Sequence, residues 1–112
     1  MEEERELWMH KIRSLAEPMR KAEYEILVCE ADEKQLLAQL KTIALSKGKK
    51  TIGSQEIYAE NHPDLYKTRL RKAVHKADLT SLKVKLKALE VGFEEWRTKM
   101  VNAREEQKRY GA

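Results

Sequence analysis

Apolar residues recur along most of this chain at alternating spacings of three and four. Trp8, Ile12, Leu15, Met19, Ala22, Ile26, Cys29, Leu36, Leu40 and Ile43 form one such series, with Glu33 alone breaking the register. A helix with 3.6 residues per turn brings these positions to one side, so the series is the seam of an α-helix packed on another helix. Pro18 lies inside it. Its ring removes one backbone hydrogen bond and crowds the preceding turn, so the helix either kinks there or restarts with Pro18 in a new first turn. The seam keeps its phase across Pro18, which favours a kink and predicts one long helix over about 3–47.

The run Ser46-Lys47-Gly48-Lys49-Lys50 ends that element, with Gly48 as the expected left-handed cap. Thr51 or Ser54 can then cap a short helix over about 52–61, because a hydroxyl accepts from free first-turn amides. His62-Pro63-Asp64 marks a restart, with Pro63 in the first turn and Asp64 complementing the positive end of the helix dipole. A second long helix over about 63–109 follows. Its later half repeats the seam with Leu82, Leu86, Leu89, Phe93, Trp96, Met100 and Ala103. Its earlier half carries Tyr66, Leu70, Ala73 or Val74, and Ala77 in a shifted phase, which predicts that the apolar face rotates between Ala77 and Leu82.

The expected fold is therefore all-α. Two long helices make an antiparallel, coiled-coil-like hairpin with a short helix in the connection, as a single helical domain over 1–112. One apolar stripe per helix is a thin core for this length, so a homo-oligomer is expected, with two hairpins pairing into a four-helix bundle.

Composition agrees with long helices and not with disorder: 41% of residues are hydrophobic and 38% charged, with 6% aromatic. The lone Cys29 excludes an internal disulfide and reads as a small buried hydrophobe, compatible with a reducing compartment. The start Glu2-Glu3-Glu4-Arg5-Glu6 is acidic where a secretory leader is basic and then apolar. No apolar run approaches the roughly 20 residues that span a bilayer. The expectation is a cytoplasmic protein without a membrane partner.

Charge changes the picture more. Residues 1–40 carry six basic and ten acidic side chains, residues 41–87 twelve and four, and residues 88–112 five and five. The bend of the expected hairpin is thus strongly basic. On the second helix Arg69, Lys72, Lys76, Lys83 and Lys87 follow one another at three, four, seven and four residues, a row of about 27 Å by the helical rise. The turn adds Lys47, Lys49 and Lys50. A row of flexible cations is what contact with a phosphate backbone needs, so these eight residues are the candidate nucleic-acid-binding set. The other reading of the same row is a solvated face that keeps a helical protein in solution.

Catalytic chemistry finds little support. His10, His62 and His75 stand on separate elements without a second ligand at metal spacing, and Glu94 and Glu95 match exposed helix positions. The stretch Lys47–Gly53 lacks the phosphate-loop pattern, and Phe93 with Trp96 fits a core pair better than a stacking platform. No enzyme activity, catalytic residue, metal site or cofactor is expected.

One stretch carries a family resemblance. The order Lys50-Thr51-Ile52-Gly53-Ser54-Gln55-Glu56, Ala59, Pro63-Asp64-Leu65-Tyr66 and, after a heavily charged helix, Lys87-Ala88-Leu89-Glu90-Val91-Gly92-Phe93-Glu94-Glu95-Trp96-Arg97 resembles a group of small helical proteins encoded by tailed bacteriophages. The resemblance covers roughly residues 20–105 and carries over no catalytic residue. It implies a bacterial host cytoplasm and an accessory role beside phage recombination and single-strand-annealing functions. Three roles follow: a DNA-metabolism accessory that binds nucleic acid, a partner protein or both through the basic face; an inhibitor that binds a host defence protein or nuclease complex; and a structural coiled-coil oligomer.

Overall fold

A computed structural model describes residues 2–110. They are all-α, with α1 (Glu2–Arg13), α2 (Ala16–Ser46), α3 (Ile52–Glu60) and α4 (Pro63–Tyr110), and no strand among the described residues. Two compact units share α4: residues 20–79 form one, and 1–19 with 80–112 the other.

The first long helix of the sequence reading is two helices. Pro18 has no amide to give the Ser14 carbonyl, and its ring excludes that carbonyl from a regular turn. The chain opens at Ser14 and Leu15, where the Leu15 amide bonds the Ile12 carbonyl at 3.2 Å, and α2 restarts with Pro18 in its first turn. Ser14 Oγ donates to the Lys11 carbonyl at 2.7 Å, satisfying one acceptor at the end of α1.

In the unit of residues 20–79, α2 runs antiparallel to the first part of α4, with Leu40, Ala59 and Leu65 forming the buried core and Leu36, Leu37 and Tyr58 packed against it. Ala22, Cys29, Leu40 and Ala44 are the buried seam of α2. Ile43, expected in that seam, is 42% exposed, and Ala44 takes the inward place. A straight helix repeats every 3.6 residues and drifts against a 3.5-residue seam, so over six turns the inward position passes to the next residue.

Helix ends follow local chemistry. Gly48 has φ 90°, and the amides of Lys49 and Gly48 bond the carbonyls of Ala44 (3.0 Å) and Leu45 (3.1 Å), a complete Schellman turn. Thr51, extended at φ −95° and ψ 152°, caps α3 by accepting from the Ser54 amide. At the start of α4 the His62 imidazole Nδ1 accepts from the Asp64 amide at 3.1 Å.

The buried face of α4 does not follow the shift of its apolar residues. Its partly or fully buried positions run in a single phase through Leu65, Arg69, Lys72, His75, Leu79, Leu82, Leu86, Leu89, Phe93, Trp96 and Met100. Tyr66, Leu70 and Val74 instead point away from α2, 67%, 51% and 54% exposed. Polar residues hold the inward places because α2 offers them counter-charges, described below.

In the other unit α1 lies antiparallel to the later part of α4. Trp8 packs on Phe93 with ring centres 6.5 Å apart, Phe93 stacks on Trp96 at 5.9 Å, and Trp96 Nε1 donates to the Glu4 carboxylate at 2.6 Å. Ala103, expected in the seam, is exposed with all of 101–110. Glu4 already reaches Trp96, so little of the described part of α1 is left to cover those residues.

Candidate nucleic-acid interface

The eight candidate cations do not form one row. Lys47, Lys49, Lys50, Arg69, Lys72 and Lys76 belong to the unit of residues 20–79, whereas Lys83 and Lys87 are exposed positions of the other unit.

Arg69 and Lys72 turn toward α2. Glu33, the residue that broke the seam's register, occupies the inward place between Cys29 and Leu36 with its side chain 17% exposed. One carboxylate oxygen accepts from Lys72 Nζ at 2.6 Å and the other from Arg69 Nε at 3.3 Å. The guanidinium of Arg69 also pairs with both carboxylate oxygens of Glu60 on α3, so it ties three helices together. Lys72 is equally confined, at 22% side-chain exposure. Beside them Arg71 donates to Asp32 at 2.6 Å and to the buried Cys29 sulfur at 3.3 Å, and His75 stands 4.0 Å from Glu25.

The electrostatics agree with this geometry. The hydrogen bond from Lys72, aided by Arg69, holds the Glu33 carboxyl below its ordinary value against the opposing effect of desolvation. Arg69 does the same for Glu60. Both carboxylates are ionised at neutral pH, and their cations are already matched. A phosphate would have to displace a short, charge-assisted bond to recruit Lys72. Lys76 has an interaction partner as well.

The turn between α2 and α3 is different. Lys49 and Lys50 are exposed, and neither side chain has a partner among the described residues. Lys47 Nζ lies 5.3 Å from the centre of the Tyr58 ring, a contact that orients the ammonium and leaves its charge uncompensated. The backbone that carries them is fixed on both sides, by the Schellman turn and by Gln55 Nε2 donating to the Lys49 carbonyl at 3.0 Å. Three cations on a rigid turn form the best-presented positive cluster of this unit.

Arg5, Arg97 and Arg104 of the other unit line an open groove over Trp96 and Met100. Arg97 is paired with Glu94 at 3.2 Å and Arg104 is also engaged, which makes this the weaker anion site. Among the described residues no group of three His, Cys, Asp or Glu side chains could hold a metal ion, and no helix is long and apolar enough to cross a membrane. Compared with models of protein families, with curated proteins and with solved structures, the chain matches none.

The internal ion pairs are what sequence reasoning missed. A signal for them was present: a lone Glu at a seam position needs a cation from the facing helix, and Arg69 and Lys72 are the basic residues of α4 at seam spacing.

Proposed function

We propose that this protein is a non-catalytic binding protein that contacts a phosphate backbone through Lys47, Lys49 and Lys50. The carrying observation is the contrast within one unit: Arg69, Arg71 and Lys72 are neutralised by Glu33, Glu60 and Asp32, while Lys49 and Lys50 stand exposed without partners among the described residues. Ammonium groups on flexible stems suit backbone contact, which releases counterions and carries little base preference. In the setting that the bacteriophage resemblance implies, such contact would serve an accessory role in DNA recombination, with a partner protein supplying sequence or structure selectivity.

Fluorescence anisotropy with labelled single- and double-stranded oligonucleotides tests this reading. Lys49→Gln with Lys50→Gln should weaken binding well over tenfold at about 0.1 M salt, since each lost phosphate contact removes roughly an order of magnitude there. Lys21→Gln with Lys34→Gln removes the same charge from exposed positions of α2 and should change binding far less. Equal losses from the two pairs would mean that only net charge matters. Failure of the parent to bind at low salt would overturn the proposal.

A further inference from the structure

The exposed apolar row on the first part of α4 has a shape that fits itself. Tyr66, Leu70 and Val74 follow at intervals of four, Ala77 continues the same face, and all four are exposed in the unit of residues 20–79. Bulk falls along the row from an aromatic ring to a methyl group. Lys67 and Asp78, eleven residues apart, flank the row on the same side of the helix because eleven residues are close to three whole turns. Both are exposed, and neither has an ion-pair partner among the described residues.

We infer that this face is a two-fold interface with a second copy of the chain, in which the two α4 helices run antiparallel. A two-fold axis near residue 72 sets Tyr66 of one copy against Ala77 of the other, and Leu70 against Val74. Large residues then meet small ones, as a packed helix pair requires. The same axis keeps one flank on one flank and carries each Lys67 to the Asp78 of the other copy, so two identical ion pairs close the contact. Parallel pairing stacks Tyr66 on Tyr66 and sends the flank of Lys67 and Asp78 to opposite sides of the contact, where no such ion pair forms. Charge and bulk therefore select the antiparallel arrangement.

The row is about 18 Å long by the helical rise, shorter than the contact of an obligate dimer. The dimer is accordingly a reversible one, populated at micromolar concentration. The interface uses none of the turn lysines, so it stands independently of the nucleic-acid reading.

Sedimentation equilibrium of the full chain from about 1 to 200 μM tests the inference. The parent should pass from 13.1 kDa toward twice that mass. Leu70→Asp should remain monomeric, while Leu27→Asp, at a comparably exposed site on α2 of the same unit, should dimerise like the parent. Lys67→Asp and Asp78→Lys each create two like-charge contacts per dimer and should weaken it roughly tenfold. Mixing these two variants should restore the parent affinity, because every flank then meets an opposite charge, and circular dichroism should show unchanged helix content in each. A monomeric parent at 200 μM, no restoration on mixing, or equal loss from Leu27→Asp would overturn it.

Discussion

Removing the Glu33 carboxylate should cost far more than removing any surface charge of this protein. Its side chain is 17% exposed and accepts from Lys72 at 2.6 Å and from Arg69 at 3.3 Å. A hydrogen bond to a charged group contributes about 1.5–3 kcal/mol net. Arg69 keeps Glu60 after the substitution, so the second bond is worth less than the first. Glu33→Ala should therefore lose about 2–3 kcal/mol, a large part of the stability of a small domain. In a double-mutant cycle Glu33→Ala and Lys72→Ala should couple by about 1–2 kcal/mol, against about 0.3 kcal/mol for the exposed Glu94–Arg97 pair at i, i+3. Urea unfolding followed by circular dichroism, with the denaturant slope held as a check on two-state behaviour, gives these values. A coupling no larger than that of Glu94 and Arg97 would refute the claim that Glu33 anchors α4 to α2.

The same carboxylates set an acid limit: the folded state holds Glu33 and Glu60 below their ordinary value of 4.5, so the unfolded chain binds protons first. Stability from these pairs should be fully present above about pH 4.5 and fall as pH drops through the lowered folded-state values; a urea midpoint whose acid decline is equally steep in Glu33→Gln would contradict this. Two glycines should respond oppositely to alanine. A Cβ on Gly92 would lie 2.8 Å from Trp8 Cη2 and 3.0 Å from Cζ3, so overpacking should outweigh the helix-propensity gain and cost about 1 kcal/mol, with altered tryptophan fluorescence. Gly53→Ala meets nothing within 4 Å in the first turn of α3 and should gain about 0.5 kcal/mol in the same urea assay.

Helical periodicity exposed most of the architecture before any coordinates. The seam of Trp8, Leu15, Ala22, Cys29 and Leu40, the left-handed Gly48, the Thr51 cap and the restart at Pro63 all follow from rules that act within a few residues of chain. Two misreadings have different causes. The break before Pro18 is local, set by the missing amide and the ring, and the unbroken phase of the seam hides it. The inward Arg69, Lys72 and His75 depend on what lies across the interface, and an apolar count along one helix cannot see the carboxylate on the other. Treating Tyr66, Leu70 and Val74 as the buried row was the natural result, since they are the apolar residues there. The candidate cations were legible as residues and not as a site: proximity in sequence placed Lys72 beside Lys76, while Glu33, 39 residues earlier, holds Lys72 against α2.

The dependence of oligonucleotide affinity on salt tests the central claim most directly, because its slope counts the phosphate contacts made. For a duplex, Lys49→Gln with Lys50→Gln should lower the slope of log affinity against log salt by roughly two units. Lys72→Gln should leave that slope unchanged while lowering the urea midpoint. An unchanged slope in the turn variant, or an equal drop on losing Lys72, would contradict the assignment of binding to the turn and of the helix cations to the fold.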